Sequence, residues 1–199
     1  MIRHPLIAGA LVGALQVTRP AEAHLVTTGL GPIYDGVGHL LVSPEDLVPV
    51  LALALLAGLN GPTAGRTALF FLTAAWLVGG VAGAFVGAPW ISSATTAGSF
   101  LVLGILTAVD RRLSPALVAT LAVAAGLLHG WLNGVALVVA GREALGLVGI
   151  VGTIFVLVTI AAAVVVSRQS GWARVASRVA GSWVAAIGLL MVGWAFRGL

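Results

Sequence analysis

Long apolar stretches separated by short polar breaks dominate the chain. The apolar stretches cover about 67–87, 93–109, 115–140, 145–167 and 175–196, and a shorter one covers about 47–59. Stretches of this kind predict transmembrane α-helices, because about 20 apolar residues in a helix cross the hydrocarbon core of a bilayer. The breaks contain turn-forming or charged sequences: Asn60-Gly61-Pro62, Gly87-Ala88-Pro89, Asp110-Arg111-Arg112, Gly141-Arg142-Glu143 and 167–178. The pattern predicts an all-α, polytopic transmembrane helical bundle with about six spans.

The helix predicted over about 47–59, which comes first along the chain, has a well-marked beginning but is short. Ser43-Pro44-Glu45-Asp46 combines an N-cap serine, a proline in the first turn and two acids near the positive end of the helix dipole. The apolar stretch that follows, 47–59, is short for a span. We therefore expect this helix to be tilted, or to be extended by a preceding helical piece at about 33–42.

The first 23 residues have the layout of a cleavable secretory signal peptide. A short basic start at 1–4 precedes an apolar core at 5–17, and Ala21-Glu22-Ala23 forms an A-x-A cleavage site. Cleavage after Ala23 would leave residues 24–199 as a single transmembrane domain that begins with His24. The alternative is a retained signal anchor, although the apolar core is short for crossing a bilayer.

Composition favours a membrane protein and excludes several other classes. Only 8% of the 199 residues are charged, whereas soluble domains carry about 25% charged residues. Every basic residue is an arginine between apolar stretches, a distribution typical of membrane topology signals and not of a nucleic-acid-binding patch. The chain has no cysteine, which excludes disulfides and thiolate metal sites.

The arginines also predict the orientation in a bacterial inner membrane. With residue 24 outside, two arginines, Arg142 and Arg197, fall on the outer side, and six fall on the inner side. The inner six are Arg66, Arg111, Arg112, Arg168, Arg174 and Arg178. Because inner loops are enriched in basic residues, we expect a multi-pass protein with both mature termini in the periplasm or at the cell exterior.

Candidate metal ligands concentrate just before the first apolar stretch. A mature His24 would offer a free α-amine and an imidazole, which together suit Cu(II) or Ni(II). Asp35 and His39 are four residues apart and share a face if that piece is helical. Glu45 and Asp46 complete the candidate set at this outer mouth. Two alternatives stay open: both acids serve only as first-turn helix acids, or His39 is only an interfacial residue.

A second candidate position lies inside the fourth apolar stretch, at 115–140. His129 and Asn133 are four residues apart on one helix face, and an ionisable residue at membrane depth is costly unless it has a partner or a wet cavity. The alternative is a neutral histidine that is hydrogen-bonded to a carbonyl or hydroxyl of a neighbouring helix. We expect His24 and His39 to bind one metal ion at the outer mouth. His129 would serve a separate, deeper step unless the first helix dips inward.

Enzymatic activity is not indicated by any motif. The hydroxyl side chains of Ser99 and Thr159 lack a G-x-S-x-G setting. The chain has neither a His-Glu-x-x-His zinc motif nor a phosphate-binding glycine loop. We therefore expect a protein that is not an enzyme and that requires no cofactor.

The chain resembles the HupE/UreJ family of small membrane proteins, which is associated with nickel or cobalt uptake in hydrogenase and urease systems. The resemblance covers nearly the whole mature chain and rests on two elements. The first is an H-x5-D-H-L motif in the first helix, where this chain keeps His39 but has Glu45-Asp46 in place of Asp-His. The second is an H-G-H-A-H-G element, where it keeps His129 but has Trp131 and Asn133 in place of two histidines.

The resemblance implies a protein that transports or handles a divalent transition metal, with nickel, cobalt, copper or zinc as substrate or ligand. Metal from the periplasm would first meet the outer group, His24, Asp35, His39, Glu45 and Asp46, and would then pass toward His129 and Asn133. The expected partners are the lipid bilayer, the metal ion and a periplasmic metalloprotein, without nucleic acid. The alternative function is a non-transporting, periplasm-facing metal-binding or assembly factor for a metalloenzyme.

Overall fold

The computed structural model describes residues 27–87, 93–141, 143–168 and 171–197, and this part of the chain is folded into seven α-helices. The helices are α1 (Pro32–Val42), α2 (Pro44–Leu59), α3 (Pro62–Val86), α4 (Ser93–Val109), α5 (Pro115–Val139), α6 (Glu143–Ser167) and α7 (Gly171–Ala195). The described residues contain no β-strand. The predicted all-α fold is confirmed. The predicted signal peptide and His24 lie outside the described residues.

Proline marks the beginning of four of these helices, namely α1, α2, α3 and α5. Proline suits a first helical turn because the N–H that it lacks would have no partner there. Ser114 caps α5 as expected for such a start, since its hydroxyl accepts from the backbone N–H of Leu117. Ser43 stands at the predicted N-cap of α2 but makes no side-chain cap hydrogen bond; its hydroxyl lies instead beside His39.

The helical piece expected before α2 exists as α1, and the two helices meet at an angle of 74°. Four helices, α3, α5, α6 and α7, are long and apolar enough to cross a membrane, and the bent α1–α2 pair raises the number to five. Helix α4 has 17 residues, which is about 26 Å of helix and less than the roughly 30 Å hydrocarbon core. The multi-pass architecture is therefore confirmed, whereas the predicted number of six spans is not.

Helix α2 occupies the centre of the bundle, with ten of its 16 residues buried. Around it, glycines let three pairs of helices approach closely: α3 with α5, α4 with α7, and α1 with α6. A methyl group at Gly130 would overlap the carbonyl oxygen of Trp76, and one at Gly83 would overlap that of Trp131. Such close backbone approach is how transmembrane helices associate without a hydrophobic driving force. It fixes α5 against α3.

Polar contacts tie the turns at one end of the bundle to one another. The side-chain oxygen of Asn60, after α2, accepts from the backbone N–H of Leu113 at 2.7 Å. Asp110, after α4, forms an ion pair with Arg174 at the start of α7. All six arginines that the sequence predicts to face the cytoplasm lie in these interhelical connections or within about two turns of an adjoining helix. The fold therefore places the six arginines at one end of the bundle. The prediction that this end faces the cytoplasm stays a prediction.

Helix α7 is the most exposed of the long helices, with only three buried residues, Ser177, Gly181 and Gly188. Trp172 and Trp194 are exposed near its two ends, and their 22-residue separation corresponds to about 33 Å of helix. Tryptophans favour the two membrane–water interfaces, whose separation is close to this distance. The positions of the two rings fit a helix that spans the bilayer.

Candidate functional site

A buried carboxylate, that of Asp46, lies at the centre of the polar cluster in the bundle. Asp46 is in the first turn of α2 and is 3% exposed. Its Oδ1 lies 3.0 Å from Nδ1 of His129, and its Oδ2 accepts from the side-chain amide of Asn133 at 2.7 Å. Since a carboxylate can only accept, the Nδ1–H of His129 donates to Asp46. The three side chains join α2 to α5 across a sequence separation of more than 80 residues.

His39, on α1, reaches the same carboxylate from the other side. Its Nε2 lies 3.8 Å from Asp46 Oδ2, and its Nδ1 lies 3.4 Å from the hydroxyl of Ser43. The imidazole is buried. The bend at Ser43 produces this arrangement, because it turns α1 back over the first turn of α2.

The imidazole of His129 is held on three sides. Besides the contact with Asp46, its Nε2 lies 3.0 Å from the hydroxyl of Ser99, on α4. The ring of Trp76, on α3, stacks on it with ring centroids 5.6 Å apart and planes inclined by 20°. The ring is fully buried. These contacts fix both its position and its orientation.

The hydroxyl of Ser99 allows two hydrogen-bonding states of this imidazole. It also lies 2.7 Å from the backbone carbonyl of Thr96, and a hydroxyl has one proton to donate. When Ser99 donates to Thr96, its oxygen can accept from Nε2–H of His129. When Ser99 donates to Nε2, the ring nitrogen is the acceptor. The position of one hydroxyl proton therefore decides which of the two groups donates.

A cavity of ≈ 250 Å³ adjoins the cluster. It is lined by the four cluster side chains, His39, Asp46, His129 and Asn133, together with Glu45, Thr96, Leu132 and Ala136. His129 is 14 residues from the beginning of α5 and ten from its end, or about 21 Å and 15 Å along the helix. The cluster thus lies well inside the bundle, displaced toward the end opposite the arginine-rich turns.

The predicted separation of Asp46, at the outer mouth, from His129, at a deeper position, is not observed, because the two side chains are in direct contact. This is the exception in which the first helix dips inward. The physical reason is the bend at Ser43, which allows the first turn of α2 to begin inside the bundle. His39, Asp46, His129 and Asn133 therefore form one cluster. The alternative that Glu45 and Asp46 serve only as acids of the first helical turn suits Glu45, which is exposed. It does not account for Asp46, which is buried.

Asp35 is separated from the cavity lining. It is buried in the first turn of α1, and its Oδ1 accepts from the backbone N–H of Thr28 at 2.6 Å and from its hydroxyl at 2.7 Å. These bonds fasten the segment before α1. The assignment of Asp35 as a metal ligand stays a prediction, as does that of His24.

Three residues of the site were not found from the sequence. The sequence presents Ser99 only as a hydroxyl without a nucleophile motif, gives Thr96 no motif of its own, and places Trp76 in an ordinary apolar stretch. The sequence contains one signal for α4, the hydroxyl-rich run Thr95-Thr96 with Ser99. It contains none for Trp76, whose importance arises from its stacking on His129.

Among the residues that the structure describes, no three histidine, aspartate or glutamate side chains already form the geometry of a metal site. One further donor is nevertheless present. The side-chain oxygen of Asn133 is buried and has no hydrogen-bond partner among the described residues, which is rare for a buried polar atom. The cluster therefore offers two imidazoles, a carboxylate and an unused amide oxygen beside a cavity.

The family model for HupE / UreJ protein matches residues 12–191. The match covers most of the chain and confirms the resemblance noted in the sequence. No curated protein and no solved structure matches the chain.

Proposed function

The chain belongs to the HupE/UreJ family, and we propose that it binds a divalent transition metal ion as cargo at the His39–Asp46–His129–Asn133 cluster. The proposed role is transport or handling of the ion, not an enzymatic reaction. The family's association with nickel and cobalt uptake or handling supports it. The observation that carries it is the buried carboxylate of Asp46, which faces two imidazoles and an amide beside a cavity.

The distance between their donor atoms favours His39 and Asp46 as ligands, and the free oxygen favours Asn133. Nε2 of His39 and Oδ2 of Asp46 are 3.8 Å apart. An ion bonded to both at about 2.1 Å would subtend an angle of roughly 130° between them. The unpartnered oxygen of Asn133 would be a third donor, and water in the cavity would complete the coordination.

His129 would then act chiefly by orienting Asp46. A hydrogen bond from a second residue to a coordinating group fixes that group's orientation, and its loss typically weakens metal affinity about 10- to 100-fold. The donor set contains nitrogen and oxygen but no sulfur, which suits Ni(II), Co(II) or Zn(II) better than Cu(I).

The alternative, a non-transporting metal-binding or assembly factor, is favoured by a different observation. Between the cluster and the arginine-rich end of the bundle, α2 and α4 present buried apolar side chains, including Leu53, Leu56 and Leu103. Transport would require these helices to move apart, whereas metal storage or delivery from one side would not.

Isothermal titration of the purified protein with Ni(II), Co(II) and Zn(II) tests the binding site. Asp46→Asn removes the charge at nearly constant shape, and Asn133→Leu removes the free oxygen. We expect each variant to lose at least tenfold in affinity. Asp110→Asn is the matched control, because it makes the same carboxylate-to-amide change at the opposite end of the bundle. Unchanged affinity of the Asp46→Asn variant would refute the site.

Metal uptake into proteoliposomes separates the two functions. Accumulation of the ion that is abolished in the Asp46→Asn variant and kept in the Asp110→Asn variant would support transport. High-affinity binding in the same preparation without accumulation would instead support the non-transporting role.

A further inference from the structure

An apolar groove lies on the outer surface between α3 and α6 and shares no lining residue with the cavity beside the His39–Asp46–His129–Asn133 cluster. Its volume is ≈ 240 Å³. Helix α3 contributes Pro62, Gly65, Arg66 and Leu69, which have the i, i+3, i+4, i+7 spacing of a single helix face. Helix α6 contributes residues between 158 and 166, of which Thr159 and Ala163 are exposed. The groove is therefore open to the surrounding bilayer.

Almost all of the groove lining is apolar. The hydroxyl of Thr159 already donates to the backbone carbonyl of Phe155 at 2.7 Å. The guanidinium of Arg66 is then the remaining polar side-chain group of the lining. A water-soluble ligand would find a single charge and little else to bind. A molecule with an apolar tail and an anionic head would match both features.

The dimensions correspond to one leaflet of a membrane. The eight-residue separation of 158 and 166 is about 12 Å of helix, a little less than half of the roughly 30 Å hydrocarbon core. The groove begins at Pro62, the first residue of α3. It therefore extends from the end of the bundle that holds the arginine-rich turns into the membrane.

The charge at that end is positive and largely uncompensated. Arg66 and Arg168 are exposed, and neither forms an ion pair within the described ranges. Arg168 follows the last turn of α6 and borders a small crevice that also contains Leu59 and Arg174. Asp110 compensates Arg174 only. Basic pockets between transmembrane helices bind anionic lipid head groups, and each arginine near an anionic membrane surface contributes about 1 kcal/mol.

We propose that this groove is a binding site for one anionic phospholipid. An acyl chain lies between α3 and α6, and the phosphate contacts Arg66, with Arg168 adding to the attraction. The apolar lining by itself would accept a neutral lipid equally well. The arginines at its end add the preference for a negative head group.

Native mass spectrometry of the full chain in mild detergent tests this site. The probes are phosphatidylglycerol and phosphatidylcholine with identical acyl chains. We expect tighter binding of phosphatidylglycerol. Arg66→Gln should reduce that preference about fivefold, and Ala163→Phe should block both lipids by filling the groove. Both positions are exposed, so neither change disturbs the core.

The controls make the same changes elsewhere on the surface. Arg197→Gln removes an arginine that stacks on Trp194, and Ala186→Phe adds a ring to the exposed face of α7. Both should bind phosphatidylglycerol like the unmodified protein. Equal binding of the two lipids, or equal loss in the Ala186→Phe variant, would overturn the proposal. Binding of inorganic phosphate that depends on Arg66 but not on Ala163→Phe would overturn it too, because it would indicate a phosphate site without an acyl groove.

Discussion

Replacing Asp46 by leucine tests whether the buried carboxylate holds the cluster together. Leucine has the same branching as aspartate, although it is larger, and it favours helix, so the change removes the acceptor oxygens without weakening α2 itself. The amide of Asn133 and the Nδ1–H of His129 would each lose their acceptor. Asp46→Asn is the conservative comparison, because an amide keeps one acceptor oxygen at nearly the same position.

The expected loss in the free energy of unfolding of the Asp46→Leu variant follows from the two donors that lose their acceptor. A buried polar group left without an acceptor costs about 1–3 kcal/mol, so two such groups give about 2–6 kcal/mol. Hydrogen bonds between membrane helices average only about 0.6 kcal/mol, with a maximum near 1.7, so we expect a loss near the lower limit, about 2 kcal/mol.

The Asp46→Asn variant should lose much less stability. In this variant the ring proton of His129 can move to Nε2, where Ser99 accepts it while donating to Thr96. Nδ1 of His129 then accepts from the new amide. The donors of His129 and Asn133 both keep a partner in this arrangement, and we expect the free energy of unfolding to fall by less than about 1 kcal/mol.

Reversible unfolding in sodium dodecyl sulfate, followed by tryptophan fluorescence, measures these free energies. Glu45→Leu is the matched control, because Glu45 is in the same helical turn but exposed, and losing an acid near the helix N-terminus lowers the free energy of unfolding by at most about 1 kcal/mol. An Asp46→Leu variant as stable as the Glu45→Leu variant would refute the hydrogen-bond argument. So would an Asp46→Asn variant that is as unstable as Asp46→Leu.

Gly130→Ala should lower the free energy of unfolding, because the new methyl group overlaps the carbonyl oxygen of Trp76. Gly152→Ala, with open space around it, should leave the free energy of unfolding unchanged or raise it by about 0.5–1 kcal/mol. An equal effect of the two changes would contradict close α3–α5 packing. A single cysteine at position 170 should resist an impermeant thiol reagent in intact cells, as the arginine asymmetry predicts; labelling there would reverse the topology. The intact mass of membrane-extracted protein should correspond to a chain beginning at His24, and a full-length mass would remove the proposed N-terminal chelate.

The structure gives a physical meaning to the departures from the family motifs. Asp46 and Asn133 stand where the resemblance places histidines, and the fold brings these two side chains into contact with each other and with His129. By that resemblance, the cluster has a carboxylate and an amide where the family motifs have two imidazoles. Oxygen donors shift a site toward harder metal ions, so if the cluster binds metal as proposed, we expect it to favour nickel less strongly than an all-histidine site would.

The helices and their ends were predictable because they depend on local features. The length of each apolar stretch predicts the long helices, and a proline marks the first turn of α2, α3 and α5. Both features act within a few residues of the position that they determine. The predicted number of six spans was not confirmed, because α4 is shorter than the hydrocarbon core and α1 and α2 meet at a sharp bend.

The sequence by itself also identified His39, Asp46, His129 and Asn133 as candidate polar residues, since a polar group in an apolar stretch is conspicuous wherever it lies. Only the tertiary structure decided that they meet. The 74° bend at Ser43 and the glycine-mediated contact of α3 with α5 set the positions of Asp46 and His129 relative to each other. Those positions depend on how backbones pack across more than 80 residues of intervening chain, which hydropathy and motif spacing do not encode. The same packing placed Ser99 and Trp76 against the imidazole of His129.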